Sequence, residues 1–160
     1  MRAVHINIDE QTLSMLDADR VIKRFSISSA LRGVGQRQGS AQTPLGSHYV
    51  RAKIGEGMAL NTVFVGRRPT GEIYDARLAA QHPSRDWILT RILWLCGRQV
   101  GLNRLREVDS MARYIYIHGT PDTEPMGEAR SHGCIRMRNR DLLTLFNWLP
   151  AGCPVIIVQS

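Results

Sequence analysis

The chain has 160 residues, of which 43% are hydrophobic and 22% are charged. This length and composition are typical of a single globular domain, here residues 1–160, and they exclude a disordered chain. Basic residues outnumber acidic residues by 21 to 14, which gives a net charge of +7. Because the arginines that carry most of this charge are scattered along the chain, we expect no nucleic-acid partner.

The first residues alternate apolar and polar side chains, and they include Asp9 and Glu10 where a signal peptide needs an unbroken apolar stretch. No run of about 18 apolar residues occurs, so we expect no membrane association. These features predict a cytoplasmic protein, or a periplasmic one if an export signal was removed. The cysteine count is odd, at 3, so at least one thiol is free, which suits a reducing compartment. The sequence leaves the oligomeric state unknown.

Short apolar runs rich in β-branched and aromatic residues predict a mostly β fold. The predicted strands are residues 4–8, 21–27, 49–54, 60–65, 114–117 and 155–158. Residues 87–95 are apolar on both faces, which fits either a buried strand or a buried helix. The flanking Pro83 and Gly97 favour a strand there.

A loop and a helix complete the predicted elements. Residues 33–46 form a long polar segment with four glycines, and a loop of this length is more often functional than idle. The spacing of leucines predicts one helix over residues 139–149, with Asn139 as its N-cap and Pro150 as its stop.

Two imidazoles, a thiol and a guanidinium lie between the strand at 114–117 and this helix. They belong to the segments His118-Gly119-Thr120 and Ser131-His132-Gly133-Cys134-Ile135-Arg136. Nucleophilic cysteine chemistry needs a thiolate, a base, donors for the oxyanion and a group that anchors the substrate. These segments offer all four, so we predict that the imidazole of His118 poises the sulfur of Cys134 as an anion.

Two other interpretations use the same residues. His118, His132 and Cys134 are donors that zinc accepts, but their spacing is not a standard zinc pattern, so we expect no metal and no other cofactor. The net charge would suit a non-enzymatic binder of anionic glycopeptide or nucleic acid. A pure binder has no need of a thiol and a base at this spacing. The remaining histidines and cysteines are interpreted as structural: His5, His48, His82, Cys96 and Cys153.

These segments resemble the signature of L,D-transpeptidase catalytic domains, also called YkuD-like. That signature is a His followed about 14 residues later by Ser/Thr-His-Gly-Cys, an aliphatic residue, and then Arg or Asn. His118 and the segment from Ser131 to Arg136 fit it at every position, with 13 residues between the two histidines. The Thr43-Pro44-Leu45-Gly46 segment resembles the Thr-Pro-x-Gly segment of the same family, although it can also be read as a simple turn.

The resemblance implies a YkuD-like β-sandwich of mixed sheets, mainly β with one or two helices, one of which packs near the active site. It implies a peptidoglycan stem peptide as substrate, either a free tetrapeptide or a muropeptide. The carbonyl of its third residue, commonly meso-diaminopimelate, is attacked and the terminal D-Ala is lost. Inhibitors of the carbapenem type are expected to bind.

The resemblance also implies a role for each site residue. Cys134 is the nucleophile and His118 is the base, whose ring is oriented by the backbone carbonyl of Gly119. His132 shapes the pocket, and the N–H groups of Gly133 and Cys134 hold the oxyanion.

Two further residues face the substrate in this scheme. Arg136 meets a substrate carboxylate, which suits a guanidinium because it pairs with a carboxylate as a planar fork. Ser131 either contacts the substrate or caps the turn.

The second step depends on which nucleophile reaches the thioester on Cys134. Water gives an L,D-carboxypeptidase of murein recycling, whereas an amine gives 3-3 cross-links or exchange of D-amino acids. We favour water, because cross-linking takes place outside the cytoplasm and this chain shows no export signal.

Overall fold

The computed structural model describes residues 1–160 and contains ten strands, two helices and a short 3₁₀ turn. The strands are β1 (Arg2–Asn7), β2 (Thr12–Asp17), β3 (Arg20–Ser28), β4 (Gly46–Ile54), β5 (Thr62–Val65), β6 (Arg68–Ile73), β7 (Ile88–Gly97), β8 (Tyr116–Thr120), β9 (Ile135–Arg138) and β10 (Pro154–Val158). The helices are α1 (Ala76–Gln81) and α2 (Asn139–Trp148), and the 3₁₀ turn is Arg106–Val108.

The strands hydrogen-bond in the order β4-β10-β1-β2-β3-β9-β8-β7-β5-β6, and β4 also pairs with β7. Eight strands therefore close on themselves, while β5 and β6 extend the sheet beyond β7. The β1–β10 and β8–β9 pairs are parallel and the other pairs are antiparallel. The predicted fold class, mainly β with mixed pairing and one or two helices, is confirmed.

The main core lies on the side of the sheet that α2 covers. It includes Ile117 of β8 and Ile135 of β9, and α2 adds Leu142, Leu145 and Phe146. Because α2 starts directly after β9, the helix is fixed next to the segment that carries the predicted site, as expected. Neither helix has the length and apolar character needed to cross a bilayer.

Three strands were not predicted, namely β2, β6 and β9, and the last of these is a run of only four residues directly after the cysteine turn. The β2–β3 hairpin turns at Ala18 and Asp19, both in the left-handed region at φ 50° and 65°, which fits a two-residue turn that the sequence does not mark with glycine. Strand β6 has no fully buried residue, so its sequence lacks the alternation that predicts a strand. Residues 87–95 are confirmed as a strand, β7.

Candidate active site

Strands β8 and β9 bring the predicted base and nucleophile to one face of the sheet. In the parallel register, Ile117 lies opposite Ile135 and His118 lies opposite Arg136. Side chains alternate along a strand, so His118 and Arg136 point away from the core that holds the two isoleucines. Cys134, directly before β9, packs on that same face against Tyr116. His118 and Cys134 therefore face the same side of two adjacent strands.

The ring of His118 is buried and held in one tautomer. Its Nδ1 lies 2.7 Å from the carbonyl oxygen of Gly119. A carbonyl oxygen only accepts, so Nδ1 carries the proton and Nε2 is left with a lone pair. No protein group hydrogen-bonds to Nε2. Burial lowers the pKa of His118 and outweighs the opposing effect of the Gly119 carbonyl, so the ring is neutral at neutral pH.

Gly119 is required by the close packing beside His118. A Cβ atom there would clash with Oδ1 of Asn139 and would lie 2.5 Å from the backbone oxygen of Leu89. Asn139 is itself fixed, because its Oδ1 accepts from Thr90 Oγ1 at 2.6 Å and its Nδ2 donates to the Thr120 carbonyl at 2.9 Å. The first turn of α2 thus holds the residue that orients the ring.

The prediction of Asn139 as N-cap was wrong. Arg138 occupies the capping position without a side-chain hydrogen bond, and Asn139 is the first residue of α2. The side-chain amide of Asn139 hydrogen-bonds to Thr90 and Thr120 beside the site, so it does not cap the free N–H groups of the helix.

The thiol of Cys134 is bonded to backbone groups of the opposite strand. It donates to the Tyr114 carbonyl at 3.3 Å and accepts from the N–H of Tyr116 at 3.3 Å. Burial raises the pKa of this thiol to about 11, and the Tyr116 N–H only partly opposes that effect. No hydrogen bond joins the thiol to His118. The raised pKa of the thiol and the lowered pKa of the imidazole favour the neutral form of both groups, and the role of His118 as the base for Cys134 stays a prediction.

The turn before Cys134 is held by two hydroxyl groups. Ser131 Oγ accepts from the N–H of Gly133 at 3.2 Å and donates to the Cys134 carbonyl at 2.5 Å. Thr43 Oγ1 donates to the Gly133 carbonyl at 2.9 Å, so the Thr-Pro-x-Gly segment contacts the cysteine loop directly. The N–H of Cys134 makes no hydrogen bond within the protein. Only one of the two N–H groups predicted for the oxyanion is therefore free, because the other is engaged by Ser131.

A cavity of about 380 Å³ lies beside Thr120 and is lined by charged side chains of both signs. We call it the charged groove; its charged and titratable lining residues are Arg85, Asp86, Glu124, Arg130, His132 and Arg136.

In the charged groove the side chain of Arg136 is only 9% exposed, and it lies between two carboxylates. Its Nη2 is 3.1 Å from Asp86 Oδ1, and its Nη1 is 3.9 Å from Glu124 Oε2. Arg136 was predicted to meet a substrate carboxylate, but the protein already compensates its charge. A substrate carboxylate would have to displace Asp86 or Glu124.

His132 lies at the rim of this groove, with its side chain 71% exposed and its Nδ1 3.6 Å from Asp86 Oδ2. It also lines a second cavity of about 330 Å³ next to Arg113 and Tyr114. No three His, Cys, Asp or Glu side chains converge on a position that could hold a metal ion. The structure thus does not bring His118, His132 and Cys134 together as zinc ligands.

Two residues of the site were missed by the sequence. Asp86 lies before β7, far along the chain from the other site residues, and nothing in its neighbourhood marks it. Arg113 was counted among scattered arginines, although its guanidinium lies beside the cysteine loop. The antiparallel pairing of β7 with β8 places Asp86 near the end of β8 and Arg113 near its start, on opposite sides of the site.

A family model described as the L,D-transpeptidase catalytic domain, YkuD, matches residues 1–157. The chain belongs to this family. A Bacillus licheniformis protein provisionally named L,D-transpeptidase YkuD is 51% identical over 41 residues, which is 26% of this chain and 25% of that protein. The matched part is thus a quarter of the length of that curated relative.

Solved L,D-transpeptidases share the fold of this chain. L,D-transpeptidase 3 from Mycobacterium tuberculosis, with a faropenem-derived adduct, superposes with a TM-score of 0.56 at 19% identity, over 99% of this chain and 60% of that one. An L,D-transpeptidase in complex with imipenem gives a TM-score of 0.55 at 17% identity, over 98% of this chain and 58% of that one. At these identities the similarity establishes the fold that this L,D-transpeptidase family member shares with the solved structures.

Proposed function

We propose that this chain is a cysteine acyl-transfer enzyme that removes the terminal D-Ala from a peptidoglycan stem tetrapeptide. One observation carries the proposal. The neutral imidazole of His118, with a free Nε2, lies on the same face of the sheet as the thiol of Cys134, and the backbone N–H of Cys134 makes no hydrogen bond. A base, a nucleophile and an oxyanion donor are the minimum set for acyl transfer.

The first step starts from neutral groups. As Sγ of Cys134 forms a bond to the carbonyl carbon of the third residue, its proton moves to Nε2 of His118. The carbonyl oxygen becomes an oxyanion that accepts from the N–H of Cys134. Collapse of this intermediate breaks the C–N bond, the proton on Nε2 goes to the nitrogen of D-Ala, and a thioester remains.

The second step reverses the proton path. Water attacks the thioester and gives a proton to Nε2, the S–C bond breaks, and His118 returns the proton to the sulfur. The Nδ1 bond to Gly119 keeps the ring in the tautomer that both steps need.

The charged groove supports a substrate whose third residue carries charges of both signs. The carboxylates of Asp86 and Glu124 are 48% and 41% exposed, so each can accept from an ammonium group. Arg130 on the same groove pairs with Glu128 at 2.9 Å, and because both side chains are exposed it can exchange this partner for a substrate carboxylate. A side chain such as that of meso-diaminopimelate, which ends in an ammonium and a carboxylate, complements this lining.

Water is the acceptor that we favour. The second cavity, of about 330 Å³, is at the small end of the range of about 300–1,000 Å³ for ligand cavities, which suits water or one amino acid better than a polymeric strand. The transpeptidase alternative is supported by the name of the curated relative. The cytoplasmic location expected from the sequence is part of the proposal, and fractionation of cells that make the native protein tests it.

Release of D-Ala from a purified tetrapeptide, without any added amine, tests the reaction. A parallel reaction with a second D-amino acid in excess measures exchange by mass spectrometry. Free tripeptide as the main product supports hydrolysis, and exclusive formation of exchanged or cross-linked product overturns it. Incubation with imipenem should give an adduct on Cys134, and the Cys153→Ala variant should still form it.

A non-enzymatic binder would behave differently in the same assays. Its affinity for muropeptides would survive Cys134→Ala and would fall steeply with salt, because it would rest on charge alone. An enzyme loses turnover in that variant while it keeps its fold.

A further inference from the structure

A guanidinium without a carboxylate partner lies beneath the loop next to Cys134. Arg113 donates from Nη1 to the carbonyls of Gly35 and Gln36, at 3.2 and 3.1 Å. From Nη2 it donates to Ser40 Oγ at 3.2 Å and to the Gln42 carbonyl at 2.6 Å. We call residues 35–42 the Arg113 loop. All four acceptors are neutral, and no carboxylate forms an ion pair with this arginine.

The bonding pattern limits what Arg113 can do. Both terminal nitrogens are used within the protein, so the side chain has little capacity left to grip a substrate anion. Its charge is still uncompensated and half-buried, and burial accordingly lowers the pKa of Arg113. An uncompensated, half-buried charge of this kind is weakly screened by solvent, so its electric field acts on neighbouring groups.

The thiol of Cys134 lies close enough to Arg113 for their charges to interact. The Gln42 carbonyl that Arg113 binds would lie 3.4 Å from a Cβ atom on Gly133, the residue before Cys134. On the other side, the carbonyl of Tyr114, the residue after Arg113, accepts the hydrogen bond of the thiol. The guanidinium thus lies one layer behind the sulfur, on the side of the second cavity.

The other charges that face Cys134 largely oppose one another. Asp86 raises the pKa of the thiol and Arg136, its ion-pair partner, lowers it. Arg113 lowers the same pKa and has no anion at its side. Burial lowers the pKa of His118 and raises the pKa of Tyr116, so both of these neighbours of the sulfur are neutral at pH 7.

From this geometry we infer that Arg113 is a positioning residue for Cys134. It fixes the Arg113 loop against the cysteine turn, and it supplies the uncompensated positive charge that stabilises the sulfur anion as this forms. The inference rests on the proposed role of Cys134 as the reactive thiol. It gives Arg113 a function, whereas the family resemblance assigned one only to Arg136, as a contact for a substrate carboxylate.

Alkylation of Cys134 by iodoacetamide measures thiolate formation without any substrate. The rate is followed against pH by mass spectrometry of the Cys134 peptide in four proteins: wild type, Arg113→Gln, Arg113→Lys and Arg77→Gln. Arg77 is an exposed arginine of α1 and controls for the loss of one charge. Thermal unfolding of each variant reports on the fold.

Loss of the charge should raise the apparent pKa of the thiol in Arg113→Gln, by no more than the opposite shift caused by loss of Asp86, so labelling at pH 8 should slow about two- to fivefold. Arg113→Lys keeps the charge but cannot bridge four acceptors, so it should label at nearly the wild-type rate even if it unfolds at a lower temperature. Arg77→Gln should match wild type.

Equal slowing in the glutamine and lysine variants, or no change in either, would overturn the electrostatic role. The outcome is separable from the proposed function. If wild-type Cys134 labels with the expected dependence on Arg113 but no D-Ala is released, the reaction proposed above fails and this inference stands. If D-Ala is released but the pH profile ignores Arg113, the inference fails alone.

Discussion

On the groove side of Cys134 the guanidinium of Arg136 lies between two carboxylates, whereas on the loop side that of Arg113 meets only neutral oxygens. The same residue type therefore contributes nearly cancelled charge on one side and free charge on the other. Burial outweighs the groups that lower the pKa of the thiol and raises it to about 11. The difference between the sides teaches that an arginine's neighbours, more than its position next to a motif, decide whether its charge reaches the sulfur.

Removal of the sulfur should have the largest effect, because both sides act on it. In Cys134→Ala we expect release of D-Ala to fall by at least about a thousandfold, as no covalent intermediate can form. A coupled assay for D-Ala measures this. Cys153→Ala removes another buried thiol and should keep most of the activity; a loss as large as in Cys134→Ala would point to a general effect on the fold.

Substitution of Gly119 should disturb the position of the His118 ring, which lies between the two sides compared above. In Gly119→Ala the new methyl group meets Asn139 and the Leu89 carbonyl, so the strand has to shift. We expect a loss of about 2–4 kcal/mol in the free energy of unfolding, measured with urea, since overpacking of a closed site is costly. Gly39→Ala, where the added carbon meets nothing within 4 Å, should cost about 1 kcal/mol. Equal losses in both variants would contradict the packing argument.

Acid should weaken the fold on the loop side through His48. This residue is fully buried, and burial, together with a smaller effect of Arg113, lowers its pKa to about 4. The unfolded chain binds the proton more readily, so stability is lost as the pH falls below about 6.5, and the loss levels off near pH 4. We expect this residue to contribute about 2 kcal/mol of lost stability between pH 7.5 and pH 5.

The His48→Gln variant isolates that contribution. Its urea unfolding should depend less on pH than that of wild type over the same range. An identical pH dependence in the two proteins would mean that His48 is not protonated on unfolding.

The smallest expected effect has the most informative sign. Asp86→Asn removes the carboxylate that offsets Arg136, so the pKa of the thiol should fall and alkylation of Cys134 at pH 8 should speed up about two- to fivefold. Arg113→Gln should shift the same rate in the opposite direction. If both variants slow the alkylation, Asp86 and Arg113 do not act on the thiol with opposite sign, and the electrostatic difference between the two sides is contradicted.

Much of the site could be predicted from the sequence, because its residues are close together along the chain. His118 and the turn from Ser131 to Arg136 are joined by one loop, and Ile117 marks the predicted strand that carries His118. Most strands with a buried face were predicted because local alternation reports burial, but β2 and the four-residue β9 were not. Strand β6, which has no fully buried residue, and the cap of α2 were not, because neither leaves a local pattern of its own.

The sequence by itself determined the family, the mostly β fold and the pair of residues that we propose for the chemistry. Only the tertiary structure decided the direction in which the pKa of each of these two residues shifts and the partners of each arginine. Those properties depend on burial and on groups that are distant along the chain, such as Asp86, which lies just before β7, and the carbonyls of the Arg113 loop. Electrostatic free energies follow distance in space and exposure to solvent, and local sequence spacing encodes neither.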